Sequence, residues 1–515
     1  MKKWAFFLMS LPFILSSCGG NSLSGYDYHE SKKLNTSIFY QNVGQIQAAD
    51  PHVISHDGKY YLYATNANSN GDCSYYQVWS SENLTNWTHE GICYQPQRNS
   101  WCIDGLWAPE VIERDGLFYL YYCGWSLKNA IHELGVAISD SPVGPFVDFY
   151  GINDNGVKVD KNASAMPLDL NGDGRNDPII DASPFIDEDG TPYLYFVQDQ
   201  KFDPADGKYY STIYVAELND DMVSIKYDTV TKLIRADQDW EMESSSTSLW
   251  NEAPFVYQKN GIYYLFYSAN YYQDRNYCLG LATSSSPLGP FVKQTTPILK
   301  TQESWDYVTG TGHNSIFTSP DGKETFITYH SHKDTVIGGA ERLIKFDRIY
   351  FNDGKVHING PTISPQLLPS GSSEYFNITK DAKITINGAR NSMLNDEFIN
   401  FVDDKEILNK EFLVDSKEVD INIKFDSFRD IRAIMIYDSA SVKYSLQKVN
   451  LIEINGKIAK NLKICSDFYD NENATYKIPG SAFIYEFNEI SSDEINIKIN
   501  SRSKFSLNEI VVVGK

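Results

Sequence analysis

The chain has 515 residues and a formal charge of −22, a length beyond one compact domain, so two domains are expected. Nucleic acid and anionic membrane surfaces are excluded as partners, because both require clustered Lys and Arg. Aromatic residues make up 14% of the chain, with 35 Tyr and 27 Phe, which suits β-sheets and sugar-stacking surfaces better than helical bundles.

Met1-Lys2-Lys3 and the apolar stretch from Trp4 to Leu15 predict an export signal over residues 1–17, too short to span a bilayer as a mature helix. It ends in Leu15-Ser16-Ser17-Cys18, which resembles a bacterial lipobox, where the Cys becomes the lipidated first residue of the mature protein. The expectation is an exported protein held at a bacterial membrane, periplasmic or at the cell surface, through Cys18 and a polar tether over residues 18–38. Cys73, Cys93, Cys102, Cys123, Cys278 and Cys465 show no zinc-site spacing, and sequence alone gives no disulfide connectivity.

One pattern then recurs five times. Turns centred on Gly58, Gly116, Gly190, Gly261 and Gly322 are each followed by a strand-like run: KYYLYAT, LFYLYYC, TPYLYFV, IYYLFYS and KETFITYH. A period of roughly 60 to 75 residues, with a hairpin signal in each copy, is the signature of radially repeated β-sheets. VAISDSPVGPF and GLATSSSPLGPF, which follow the second and fourth turns, are near copies, so the repeat is a whole blade. The predicted fold class is all-β: a five-bladed β-propeller over residues 39–368, then a smaller β-sandwich.

In a propeller the innermost strands surround one channel, so equivalent positions become neighbours. Nine residues before the turn glycines stand Trp107, Asp181, Glu252 and His313, and eight before the first stands Asp50. The repeat therefore gathers Asp50, Asp181 and Glu252 into one pit. Cleaving a glycosidic bond needs a carboxylic acid to protonate the leaving oxygen and a carboxylate on the other face of the sugar. Crowded carboxylates push one another's pKa values apart, which separates acid from base. Singly, each could merely cap a strand or turn; together they point to catalysis. Trp107 and Trp250 flank these segments as candidate substrate-stacking rings, with a structural wedge as the alternative for Trp250.

Between the second and third repeats, residues 169–177 read DLNGDGRND. Asp169, Asn171, Asp173 and Asp177 match the first nine positions of an EF-hand-like loop, although its twelfth position is Ile180 rather than Glu. They predict a calcium that braces the approach to Asp181; the alternative is a polar turn without metal.

After Pro369-Ser370-Gly371 the texture changes to short alternating runs such as VDINIKF, IRAIMIYD and EINIKIN. These predict a β-sandwich over residues 372–515. IRAIMIYDSAS and the ending SLNEIVVVGK resemble discoidin-type, galactose-binding-like sandwiches, which implies either carbohydrate binding or a purely structural module.

The segments AADPHVISHDGKYYLYAT, LWAPEVIERDGLFYLYY, IDASPFIDEDGTPYLYF, NEAPFVYQKNGIYYLFYS and TGTGHNSIFTSPDGKETFITYHSH, in that order, resemble glycoside hydrolase family 43. The resemblance implies a five-bladed propeller, an inverting mechanism and no organic cofactor. It makes Asp50 the general base, Glu252 the general acid and Asp181 the carboxylate that tunes and orients the acid. His313 matches the central-channel His that in many members helps to hold a hydrated calcium. Arg342 matches an Arg that reaches sugar hydroxyls, with Arg348 in the same strand region.

The function this implies is an exported hydrolase that removes α-L-arabinofuranosyl or β-D-xylosyl units from plant glycans. Exo-galactosidase and endo-arabinanase activities use the same trio. A glycan-binding propeller without catalysis is the alternative from another class, but it has no need of an acid facing a base.

Overall fold

The turn glycines sit where two strands reverse. Asp57-Gly58, Asp115-Gly116 and Asn260-Gly261 all have positive φ, from 48° to 79°, the backbone of a two-residue type I′ hairpin. The computed structural model describes residues 34–42, 46–66, 73–97, 100–149, 166–301, 308–401, 407–446, 449–458, 470–471, 474–475 and 480–515. The expected export signal, Cys18 and Cys465 lie outside the described residues. Cys93, Cys102, Cys123 and Cys278 are buried free thiols.

Five antiparallel blades follow in chain order. Blade 1 is Ala49–His56, Lys59–Thr65, Tyr76–Ser81 and Thr88–Tyr94; blade 2 is Trp107–Arg114, Leu117–Trp125, His132–Ser139 and Val147–Asp148. Blade 3 is Ile179–Ile186, Pro192–Asp203, Lys208–Glu217 and Thr231–Arg235; blade 4 is Ser248–Lys259, Ile262–Ala269, Cys278–Ser284 and Val292–Lys293. Blade 5 is Gly312–Thr318, Thr325–His332, Arg342–Asn352 and Lys355–Ile358. The second and third strands of blade 3 form a long hairpin, and Tyr209 to Ser211 pair in parallel with Ser248 to Trp250 of blade 4. That hairpin becomes a wall of the pit.

Among the described residues no strand is exchanged between blades 1 and 5, and the ring closes by other contacts. Val53 N donates to Ser315 Oγ at 3.1 Å, Asn42 Nδ2 to Phe346 O at 2.8 Å and Lys345 Nζ to Asn42 O at 2.8 Å. A two-residue ladder of Phe39–Tyr40 with Gln366–Leu367 clips the ends together.

The second body is a β-sheet structure built on Glu418–Asp438, Ala482–Ser501 and Phe505–Gly514. Its strands alternate between two apolar environments. Ile434, Ile436, Ile510 and Val512 point into the sandwich core. Their neighbours Ala433, Met435, Tyr437, Val511 and Val513 pack instead with Ile38, Phe39 and Leu367 of the clip. This explains why IRAIMIYD and EIVVVG carry apolar residues on both faces: the strands are buried on both sides. Residues 34–38, expected as the end of a polar tether, belong to this folded interface. Ile38 is fully buried there, and Asn35 Nδ2 donates to Glu486 Oε1 at 2.7 Å.

Ending the chain at residue 371 would uncover Ile38, Phe39 and Leu367. Each buried side chain of this size contributes about 1.5–3 kcal/mol, so the shortened protein is expected to aggregate or to melt at least about 5 °C below the full chain. Thermal unfolding of the two forms checks this, and equal melting temperatures would refute it.

Candidate active site

Every inner strand breaks its ladder near its start. The register slips between Ala49 and His52, Trp107 and Glu110, Ile180 and Ser183, Glu252 and Phe255, and Gly312 and Ser315. Within each bulge one residue is left-handed: Asp50 at φ 52°, Ala108 at 47°, Asp181 at 53°, Ala253 at 51° and His313 at 50°. None is glycine, and such a conformation costs about 1–3 kcal/mol per residue. These five are the true structural equivalents. Counting back from the turn glycine puts Trp107 and Glu252 one residue out of line, because the first hairpins of blades 3 and 5 have longer turns than the two-residue turns of the others.

The bulge amides are held by the preceding blade. Ala108 N donates to Thr65 Oγ1 at 2.7 Å, His313 N to Ser268 Oγ at 2.8 Å and Asp50 N to His330 Nδ1 at 3.1 Å. The Asp181 amide reaches the Cys123 thiol. Thr65, Cys123, Ser268 and His330 all lie opposite the residue just before their own blade's bulge. In blade 3 that place is Val197, whose side chain has no acceptor. The Ala253 amide is taken instead by the Asp181 carboxylate, Oδ2, at 2.9 Å. Asp181 is thereby locked against the strand that carries Glu252.

The bulges bring Asp50, Asp181, Glu252, His313 and Arg342 to one cavity of about 350 Å³. Asp50 Oδ1 lies 3.2 Å from Arg342 Nη1 and 3.3 Å from His313 Nδ1. Burial pushes the Asp50 carboxyl up, but His313, the Arg342 guanidinium and His330 outweigh it and hold the group well below the usual carboxylate range. Burial raises Asp181 to about 6, with His313 opposing the rise and Asp50 adding to it. Glu252 is pushed well above its ordinary value, first by burial and then by the charge of Asp181, while a hydrogen bond from Tyr277 works the other way. One carboxyl is thus held ionised and another protonated across the same cavity.

Trp107 and Trp250 both line the cavity, as do Asp199, Gln200, Tyr272 and Tyr277. The two arginines separate cleanly. Arg342 stands 4.7 Å over the Tyr272 ring beside Asp50, whereas Arg348 pairs with Glu324 at 2.9 Å and donates to Leu367 O and Leu368 O.

Three residues carried no sequence signal. Tyr277 donates to Glu252 Oε1 at 2.9 Å and stacks on His330 with centroids 5.6 Å apart. A Cβ on Gly312 would come within 2.1 Å of the Tyr277 ring, so the glycine of TGHNS makes room for it. Asp199 adds a fourth carboxylate, which accepts from Ser211 Oγ at 2.9 Å. It is delivered by a second bulge, between Gln198 and Lys201, in which Gln200 is left-handed at φ 41°. His330 holds the Asp50 amide and is kept neutral by burial. A signal was available for Gly312 alone, as a glycine inside a strand-like run.

The residues expected to hold calcium form a closed turn. Asp169 accepts from the amides of Gly172, Asp173 and Gly174, Asn171 from Asp173, and Asp173 from Arg175. Asp177 accepts from Leu170 N, and its other oxygen sits 2.9 Å from Lys201 Nζ, so a lysine already supplies positive charge at the ninth position. Further along the inner strands, both amide atoms of Asn314 are buried without a hydrogen-bond partner, as are His52 Nδ1 and Glu110 Oε2, which lie 3.5 Å from each other. Atoms of this kind suit water or a hydrated ion. Among the described residues no three His, Cys, Asp or Glu side chains form a direct cage.

Known proteins share this architecture. Residues 40–356 match the profile of Glycosyl hydrolases family 43. The crystal structure of a thermostable family-43 glycoside hydrolase is 37% identical, aligns over 64% of this chain and 99% of its own, and superposes with a TM-score of 0.56. A beta-D-galactofuranosidase of Aspergillus niger is 28% identical over 59% of this chain and 80% of its own length. An extracellular exo-alpha-(1->5)-L-arabinofuranosidase of Streptomyces avermitilis is 26% identical over 68% of this chain and 69% of its own. With the family profile spanning the whole propeller and all three carboxylates inside it, the chain belongs to glycoside hydrolase family 43 and is a glycoside hydrolase.

Proposed function

We propose that the protein is an exported exo-acting hydrolase that removes terminal α-L-arabinofuranosyl or β-D-xylosyl units from plant glycans with inversion. The observation that carries the chemistry is the opposed charge state of Asp50 and Glu252 in one cavity. Asp50, ionised, takes a proton from a water that attacks the anomeric carbon. Glu252, protonated, gives its proton to the leaving oxygen as the glycosidic bond breaks. Asp181, pinned by the Ala253 amide, keeps Glu252 aligned and, by its charge, protonated. Arg342 and His313 hold Asp50 ionised and offer donors to sugar hydroxyls, and Trp107 and Trp250 offer ring faces to the sugar.

The cavity volume, at the lower end for small-ligand sites, supports exo action, and the names of several relatives support arabinose- and xylose-containing substrates. A second reading, removal of β-D-galactofuranosyl units, is favoured by the Aspergillus relative. Release of sugar from a panel of aryl pentosides and galactofuranosides separates the two. Export is supported by the extracellular relatives, and anchoring by Cys18 of the lipobox-like segment. Loss of membrane association in a Cys18→Ala protein tests the anchor. Calcium is assigned a bracing role only, held through water near His313 and Asn314 or in the turn of Asp169, Asn171, Asp173 and Asp177. Chelation is then expected to lower the melting temperature, and an unchanged melting curve would remove that role.

Asp50→Asn and Glu252→Gln should each lower turnover at least about a hundredfold, the usual contribution of a general acid or base. The Glu252→Gln loss should shrink on substrates whose aryl leaving group needs little protonation. Near-normal activity in either variant would overturn the assignments. Proton NMR of the first-formed sugar should show the inverted anomer.

The pH profile carries a signed expectation. Activity falls on the alkaline side as Glu252 loses its proton and on the acid side as Asp50 gains one. Asp199 raises the Glu252 value and the Tyr277 hydrogen bond lowers it. Asp199→Asn should therefore move the alkaline limb of kcat/KM to lower pH, and Tyr277→Phe should move it to higher pH. Shifts in the same direction would contradict this electrostatic account.

A further inference from the structure

The two exposed tryptophans among the described residues, Trp107 at 36% and Trp125 at 41%, stand on the first two strands of the same blade. Trp107 lines the cavity itself. Its ring lies 3.8 Å from that of His132, and His132 lies 5.2 Å from Trp125. Burial lowers His132 to about 4, so the spacer between the tryptophans is an uncharged ring. Ile103 and Leu127, 47% and 57% exposed, flank Trp125 on the same loops.

These loops are rigidly built. Trp125 N donates to Asp104 O at 3.0 Å, Leu127 N to Trp101 O at 3.2 Å, and Cys102 bridges to Ser126. A Cβ on Gly105 would stand 2.9 Å from Trp125 Cβ and 3.0 Å from His132 Nε2, so the loop is packed directly under the indole. An exposed apolar patch that is held in place and continuous with a binding cavity marks a binding surface. None of these side chains serves the acid–base chemistry.

We propose that Trp125, with Ile103 and Leu127, forms a distal sugar-binding platform that holds the units beyond the cleaved bond while Trp107 and the cavity hold the terminal sugar. The inference rests on the exo-hydrolase reading above and names the kind of substrate: an oligosaccharide or polysaccharide chain rather than a disaccharide or small glycoside. The occupant is carbohydrate because the rings continue the wall of a sugar-cleaving cavity. Sugar C–H faces stack on exposed indoles, and a neutral chain meets no repulsion from the strongly acidic protein.

The test compares a 4-nitrophenyl pentoside with the matching linear pentasaccharide, arabinopentaose or xylopentaose, for the wild type and Trp125→Ala. The variant is expected to keep kcat/KM on the aryl glycoside and to raise KM on the pentasaccharide about tenfold, the equivalent of one good stacking contact. Trp125→Phe should recover most of the loss. Should Trp125→Ala fold poorly, Trp125→Gln gives the same comparison. Binding of di- to pentasaccharides to the Glu252→Gln protein, followed by calorimetry, should tighten with chain length only when Trp125 is present. Equal KM values for wild type and variant on the pentasaccharide would overturn the platform. So would a dimer that Trp125→Ala dissociates, since the patch would then be a protein interface. A wild type that cleaves neither substrate would overturn the exo-hydrolase reading and the platform with it.

Discussion

The active site depends on one repeated interaction: a left-handed bulge residue whose amide is captured by the blade before it. Without the bulge, alternating side chains of the inner strand would carry Asp50, Asp181 and His313 into the blade interfaces. The bulge turns them to the channel instead. Local preference alone would not hold a non-glycine residue there. The hydrogen bonds to Thr65, Cys123, Ser268 and His330 do so, and each also links one blade to the next. Catalytic geometry and ring assembly are therefore one network. Val197 breaks its regularity, and the amide it leaves free becomes the fixed partner of Asp181.

That network sets the electrostatics. Burial raises Asp181 to about 6, with His313 opposing the rise, Asp50 adding to it and the Ala253 amide, which takes one of its oxygens, favouring its charge. Asp50 lies against two histidines and an arginine and stays ionised. Glu252 is pushed up by burial first and by the charge of Asp181 next, with the Tyr277 hydroxyl donating against the rise, so it stays protonated. The two roles are thus fixed by which neighbours the bulges supply, although the two residues are chemically alike.

Much of this was legible in the sequence, for physical reasons that also mark where reading stopped. Asp-Gly and Asn-Gly turns are local signals, and five of them declared the blades. The placement of Asp50, Asp181 and Glu252 in one pit followed from topology. The exact equivalence did not, because a bulge leaves no local signature when an Asp, Ala or His occupies the left-handed position, and hairpins of unequal length shift the count by one. Tyr277, Asp199 and His330 come from loops and second strands whose contribution exists only after the ring closes. The spacing of DLNGDGRND shows a set of convergent oxygens, but not that in the fold they also accept from backbone amides or that Lys201 pairs with Asp177. Such competition between backbone donors and a cation is invisible to spacing.

The sandwich also has a place in this argument. Among the described residues blades 1 and 5 share no strand, and their seam is held by hydrogen bonds that involve side chains. Asp50 sits on that seam, between its own strand and the His330 and Arg342 of blade 5. The clip of Phe39–Tyr40 with Gln366–Leu367 spans the same two blades, and the outer faces of the sandwich strands bury it. Opening the seam would separate Asp50 from the Arg342 guanidinium that helps to keep it ionised. The second domain therefore bears on the seam through packing: its strands bury the clip that joins the two ends of the ring on which Asp50 and Arg342 meet.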